Sequence, residues 1–134
     1  MKRIGVLLSG CGVYDGAEIQ ESVLTMLAIE EANAEYFCIS VDKPQYHTVN
    51  HLTGDEEKEP RNMLVESARI ARGDVIDISK VDLREMDALV IPGGFGSAKN
   101  FTKWAFEGPE GKILPEIKLL LINLVNIGKP ILAL

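Results

Sequence analysis

An apolar stretch that stops at a proline and two glycines constrains the fold of this 134-residue chain more than any other feature. Residues 88–91 are all apolar, which is typical of a strand buried in a parallel sheet. Pro92 cannot donate to a sheet ladder, and Gly93 and Gly94 allow a sharp turn with bare main-chain N–H groups. At the carboxyl edge of a parallel sheet, such N–H groups can hold a negatively charged oxygen. An ordinary strand-to-helix turn is the alternative interpretation.

A second apolar run ends in the same way near the amino terminus. Residues 4–8 are followed by Ser-Gly-Cys-Gly-Val-Tyr-Asp-Gly at 9–16. The glycines at 10 and 12 resemble the start of a dinucleotide-binding pattern, but the next glycine stands at 16, one residue late. The sequence therefore gives little support to nucleotide binding and predicts that both glycine-rich turns lie at the same edge.

The spacing of apolar and turn residues predicts strands that alternate with helices. We expect strands at 3–8, 35–41, 74–78, 87–91 and 130–134, helices at 16–32, 60–72 and 113–127, and a polar loop over 42–59. The alternation indicates one α/β domain over 1–134 with a parallel, doubly wound sheet. Because the chain stops inside an apolar run typical of a central strand, we expect it to be the amino-terminal part of a longer domain.

Composition argues against several classes of partner. The chain has 46% apolar and 25% charged residues, as globular domains do, and its net charge of −6 disfavours nucleic acid and anionic membrane surfaces. No stretch approaches the roughly 20 apolar residues that a membrane helix needs. The two cysteines do not form a disulfide framework, so we expect a reducing, cytoplasmic location. Cysteine and histidine do not have the spacing of metal ligands.

Four stretches, at 9–19, 50–54, 61–70 and 92–100, carry a resemblance to a known family. Together they resemble ElbB proteins, the "enhancing lycopene biosynthesis" branch of the PfpI-like, class I glutamine-amidotransferase-like superfamily. The resemblance implies a flavodoxin-like three-layer sandwich, here incomplete at the C-terminus. It also implies a catalytic cysteine on a strand-to-helix elbow, where the helix N-terminus favours the thiolate. Residues 128–134 resemble the segment directly before that cysteine, which is therefore expected just after Leu134.

The same resemblance assigns roles to residues of this chain. Glu21 matches an acidic residue that leans towards the cysteine and moves protons, and Gly93 and Gly94 match a turn whose amides face the substrate oxygen. Glu18 is the competing candidate, and a glutamate early in a helix is commonly only a solvated residue. The substrate pocket is expected to be lined by Cys11, Gly12, Phe95, Asn100 and His51.

Simpler interpretations remain open for several of these residues. Cys11 is as well explained as a small buried cysteine, and Cys38 lies in an apolar strand and belongs to the core. His51 lies in a loop, where a histidine is commonly a structural hydrogen-bonding residue. Lys99 and Asn100 either bind an anionic group or cap the segment after the glycine turn.

The resemblance implies a cofactor-independent, glyoxalase-like enzyme that converts small aldehydes such as glyoxal or methylglyoxal and is associated with isoprenoid biosynthesis. A thiolate would add to the aldehyde, Glu21 would move a proton between the two carbons, and hydrolysis would release glycolate or lactate. A redox-sensing or regulatory binding protein using the same cysteine is the alternative. Amidotransferase or protease activity would need a histidine beyond Leu134. The resemblance also favours a homodimer.

Overall fold

The computed structural model describes residues 1–134 and has a five-stranded parallel sheet at its centre. Five strands form this sheet in the order β5-β2-β1-β6-β7, and every pairing is parallel. The two remaining strands pair with each other, antiparallel, outside the sheet. The strands are β1 (Arg3–Leu7), β2 (Glu35–Ser40), β3 (Thr48–Val49), β4 (Glu56–Glu57), β5 (Val75–Asp77), β6 (Ala88–Ile91) and β7 (Ile131–Ala133). The predicted α/β architecture is confirmed.

Four α-helices accompany the sheet: α1 (Ile19–Glu31), α2 (Met63–Ala71), α3 (Trp104–Glu107) and α4 (Pro115–Asn126). The side chain of Glu18 accepts hydrogen bonds at the start of α1, and the side chain of Asn62 does so at the start of α2. These caps explain why both helices begin later than the predicted 16 and 60. None of the helices is long and apolar enough to cross a membrane.

Side chains alternate across the sheet and bury a core on each face. Leu7 and Leu89 pack with Leu120 and Leu124 of α4 in a cluster of ten buried residues. On the opposite face, a cluster of five buried residues includes Met26 of α1. The α1 face is less completely covered, because an apolar groove of about 570 Å³ runs between α1 and strands β1, β6 and β7.

The segments on either side of β6 contain short helical turns that the sequence pattern did not predict. Residues Ile78–Lys80 and Leu83–Glu85 form 3₁₀ turns before β6. After β6, Ser97–Phe101 forms a π-helical turn, and Gly108–Glu110 a further 3₁₀ turn. π-Helical turns are rare in proteins overall, but those that occur are often found at functional sites. The π-helical turn that follows Gly93 and Gly94 therefore marks this edge of the sheet as a candidate site.

Candidate functional site

The two glycine-rich turns lie against each other at the carboxyl edge of β1 and β6. Gly94 has a φ of 112°, and a methyl group there would overlap the main chain of Gly16 and Glu18. The main-chain N–H of Gly96 donates to Gly16 O at 2.9 Å, and that of Glu18 donates to Gly93 O at 2.8 Å. The turn after β6 is therefore fixed to the loop that precedes α1.

The carboxylates of Glu18 and Glu21 have different surroundings. Glu18 Oε1 accepts from the N–H of Gln20 at 3.2 Å, and Oε2 accepts from the N–H of Glu21 at 2.7 Å. Glu18 is thus occupied as the N-cap of α1. The exposed Glu21 carboxylate makes no hydrogen bond within the protein and lies against Gly93, where a methyl group would overlap it. Of the two candidates, Glu21 is the carboxylate that remains available at the turn.

The main-chain N–H groups of Gly93 and Gly94 donate no hydrogen bond within the protein. The next two N–H groups of the turn are occupied, since Phe95 donates to Val13 O at 2.8 Å and Gly96 to Gly16 O. Two adjacent N–H groups without protein partners can bind an oxygen that carries negative charge. The structure therefore brings Glu21, Gly93 and Gly94 together in an arrangement suited to that chemistry.

Strand β7 ends beside this turn. In the parallel pair of β6 and β7, Ile91 is level with Ala133, and the N–H of Leu134 donates to Ile91 O at 3.0 Å. The last residues of the chain therefore lie next to the start of the glycine turn.

Neither cysteine of the chain has the surroundings of a reactive thiol. Burial raises the pKa of Cys11, the carboxylate of Glu66 adds to the rise, and Arg69 only partly offsets it. Burial raises the pKa of Cys38, a core residue as predicted, to about 11. Both side chains therefore stay protonated near neutral pH, which makes them poor nucleophiles.

Glu66 is a buried carboxylate held between two arginines. Its Oε1 accepts from Arg61 Nη1 at 2.6 Å, and its Oε2 accepts from Arg69 Nε at 2.8 Å. Burial by itself raises the pKa of Glu66, but the hydrogen bonds from the two arginines more than compensate and lower it. Glu66 is therefore an ionised group of the scaffold near Cys11.

The buried side chain of Asn100 connects its own π-helical turn to two loops. Its Nδ2 donates to Ser9 O at 2.8 Å and to Asp15 O at 2.9 Å, while its Oδ1 accepts from the N–H of Tyr46 at 2.8 Å. All these bonds are made within the protein, so the amide acts as a structural link. A role of Asn100 in lining a substrate pocket stays a prediction.

His51 and Gly12 also join loops at this edge. The Nε2 atom of His51 accepts from the N–H of Tyr14 at 3.1 Å, so Nδ1 carries the proton and donates to Val49 O at 3.0 Å. A methyl group at Gly12 would overlap the His51 ring. The structural alternative for His51 therefore has direct geometric support, and the proposed pocket role of both residues stays a prediction.

The side chain of Phe95 separates two hollows next to the turn. A polar hollow of about 410 Å³ contains His47 and Lys99, whose Nζ donates to His47 Nε2 at 3.1 Å and lies 4.9 Å from the Phe95 ring centre. An apolar hollow of about 460 Å³ lies on the side of Gly94 and Trp104. No local pattern marks His47 or Trp104, because the residues that surround them come from distant parts of the chain. No group of three or more His, Cys, Asp or Glu residues is arranged to hold a metal ion.

The chain is similar to proteins that contain glutamine-amidotransferase-like domains. It is 42% identical over 130 residues to the Homo sapiens protein named glutamine amidotransferase-like class 1 domain-containing protein 3, mitochondrial, covering 96% of this chain and 48% of that protein. A crystal structure of an isoprenoid biosynthesis protein with an amidotransferase-like domain from Ehrlichia chaffeensis is 46% identical, with a TM-score of 0.92. That similarity covers 98% of this chain and 62% of the other. No model of a known protein family matches the chain.

These comparisons confirm the fold and the broad relationship. The homologues are glutamine-amidotransferase-like class 1 domain proteins, and the chain spans about half the length of the curated relatives it matches. A two-domain protein from Anabaena variabilis with a DJ-1/ThiJ/PfpI-like domain shares the fold alone, at 16% identity and a TM-score of 0.55 over 99% of this chain and 29% of its own. The predicted flavodoxin-like α/β fold, of the DJ-1/PfpI type, is thus confirmed.

Proposed function

We propose that the protein built on this domain is an ElbB-like, cofactor-independent glyoxalase, which converts small 2-oxoaldehydes to 2-hydroxy acids, for example glyoxal to glycolate. One observation carries the proposal: the free carboxylate of Glu21 lies against Gly93, beside the two unpartnered N–H groups of Gly93 and Gly94. Because the curated relatives are about twice as long as this chain, the activity is assigned to the whole protein. Its nucleophile is a cysteine expected directly after Leu134.

The reaction needs a thiolate, a proton carrier and a site for a negative oxygen. The thiolate adds to the aldehyde carbon and forms a C–S bond, while the N–H groups of Gly93 and Gly94 hold the resulting oxyanion. Glu21 removes the proton from this carbon and delivers a proton to the neighbouring carbonyl carbon. The first carbon is thereby oxidised to a thioester and the second reduced to an alcohol, so no external oxidant is consumed. Water then hydrolyses the thioester and releases the acid and the thiol.

Two features of the fold support this arrangement. The N–H of Leu134 donates to Ile91 O, two residues before Gly93, so a cysteine in the next position would come close to the glycine turn. The Glu18 cap fixes the first turn of α1, which determines where Glu21 lies. The name of the similar Ehrlichia chaffeensis structure supports a link to isoprenoid biosynthesis.

Burial raises the pKa of Cys11 and of Cys38, which makes both thiols less reactive towards oxidants. The alternative function, redox sensing or regulatory binding, would therefore depend on the same cysteine after Leu134. This alternative, the homodimer and the cytoplasmic location stay predictions.

The experiment that tests the proposal uses protein in which the chain continues past Leu134. Purified protein is incubated with glyoxal, and glycolate is measured over time. We expect glycolate to form, and its formation to stop when the residue after Leu134 is changed to alanine. Cys38→Ala serves as the matched control, because it removes a thiol that lies in the core, and it should retain turnover. Equal rates of glycolate formation by the parent and the nucleophile variant would contradict the proposal.

A further inference from the structure

The apolar hollow beside Gly94 is not used by the proposed conversion of glyoxal. Its walls are formed by six residues, five of them apolar: Val13, Gly94, Phe95, Ala98, Trp104 and Ala105. Two of these are large aromatic residues that keep much of their surface exposed, 57% for Trp104 and 47% for Phe95. Exposed aromatic side chains around a concave apolar wall are typical of sites that bind small molecules.

The main chain holds the walls of this hollow in place. The N–H of Phe95 donates to Val13 O at 2.8 Å, and the N–H of Trp104 donates to Thr102 Oγ1 at 3.2 Å. Ala98 belongs to the π-helical turn, and its methyl side chain leaves space that a larger residue would fill. The hollow is therefore framed by two aromatic residues and kept open by small ones.

The hollow is larger than glyoxal requires, and its lining is apolar, whereas glyoxal is polar. Glyoxal needs roughly 100 Å³, if each water-sized group takes about 30 Å³, whereas the hollow measures about 460 Å³. No charged side chain lines it, since Lys99 lies in the polar hollow next to the Phe95 ring. Flat apolar groups gain both buried area and ring contacts between aromatic side chains. An aromatic ring thus fits this hollow better than a polar or charged group.

We propose that this hollow binds an aryl substituent of the substrate, so that aryl-substituted 2-oxoaldehydes such as phenylglyoxal are better substrates than glyoxal. The inference rests on the proposed function for its reacting end. Gly94 belongs both to the hollow and to the pair of free N–H groups, so the hollow adjoins the amides that the proposed reaction uses. The hollow would then set specificity, and the turn would carry out the chemistry.

Binding of the two reaction products tests this inference without any turnover. Mandelate is the product expected from phenylglyoxal, and glycolate is the product expected from glyoxal. Trp104 is the only tryptophan of the chain, so its fluorescence reports directly on the hollow. We expect mandelate to change this fluorescence saturably, with a Kd at least tenfold lower than that of glycolate.

Filling the hollow provides the second half of the test. Ala105 is exposed, so Ala105→Leu places a larger side chain at the hollow without disturbing the core, and it should raise the Kd of mandelate at least tenfold. Ala98→Leu fills the hollow from the π-helical turn and should act in the same direction. Glu107→Leu is the matched control, because it adds the same side chain to α3 outside the hollow, and it should leave the Kd unchanged. Circular dichroism verifies that all variants are folded.

The outcomes separate this inference from the proposed reaction. Equal Kd values for mandelate and glycolate, or a mandelate Kd that neither leucine variant changes, would overturn the aryl site. Tight mandelate binding, combined with no turnover of any 2-oxoaldehyde by the longer protein, would support the aryl site and contradict the reaction. Glycolate formation from glyoxal without a preference for mandelate would support the reaction and overturn the aryl site.

Discussion

Two neighbouring regions of the same sheet edge differ in whether their polar groups are hydrogen-bonded within the protein. In the loop clamp, formed by Asn100 and His51, the amide and both ring nitrogens make hydrogen bonds to main-chain atoms. In the turn site, formed by Glu21, Gly93 and Gly94, the carboxylate and both N–H groups have no partner in the protein. Polar groups that hold a fold are almost always paired. The comparison therefore separates residues that hold this edge together from residues whose polar groups are free to bind water or a ligand.

The largest effect is expected in the turn site, from Glu21→Gln. The change keeps the size of the side chain but removes its ability to carry a proton, so turnover of glyoxal by the longer protein should fall about 10²- to 10⁴-fold. The urea midpoint of unfolding should not change, because the carboxylate is exposed and unpaired. Glu30→Gln makes the same substitution on an exposed residue of α1 and should have no effect on either measurement. Normal turnover by the Glu21 variant would contradict a role for this carboxylate in the reaction.

A smaller effect, on stability, is expected in the loop clamp. Asn100→Ala leaves the carbonyl groups of Ser9 and Asp15 and the N–H of Tyr46 without their partner. We expect a loss of about 3 kcal/mol in the free energy of unfolding, measured by urea denaturation, because unpaired buried polar groups are costly. Asn126→Ala, on the exposed end of α4, should change it by less than about 0.5 kcal/mol. An Asn100 variant as stable as the parent would show that the clamp does not hold the loops.

The smallest effect is expected in how stability depends on pH, and it concerns the buried carboxylate of Glu66, which is fully paired like the groups of the loop clamp. Its pKa is lower in the folded state than in the unfolded chain, so its ion pairs stabilise the fold above the unfolded value of about 4.3. That contribution is lost as the pH falls through the lower folded pKa. We expect Glu66→Gln to be less stable than the parent at pH 7, and the difference to shrink towards pH 3. Urea midpoints measured across this range check it, and a difference independent of pH would contradict it.

The sequence predicted the regular elements well because their signals are local. The apolar run at 88–91 became β6, and the capped apolar pattern after residue 16 became α1. The hairpin of β3 and β4 was missed, since its two-residue strands show no alternation and Glu56 and Glu57 are both exposed. The π-helical turn was also missed, because Asn100 in this turn bonds to loops that are distant in the sequence, and no local pattern shows such bonds.

The candidate site was predicted where a motif marks it and missed where distant residues meet. The glycine pair was predicted from the apolar run that stops at Pro92, and Glu21 from the family resemblance, whereas Glu18 was identified as a cap only from its hydrogen bonds. No sequence motif marks Trp104, and its hollow is completed by Val13, which lies 91 residues earlier in the chain. Such a pocket depends on how loops pack, which the periodicity of a sequence does not encode.

Glu18 connects the glycine turn to the first turn of α1. Its N–H donates to Gly93 O, and its carboxylate caps the first turn of α1. Both bonds link the glycine turn to the helix that carries Glu21. One residue therefore ties the turn that carries the two free N–H groups to the helix turn that carries the Glu21 carboxylate. On heating the longer protein, the proposed activity should be lost when these hydrogen bonds break.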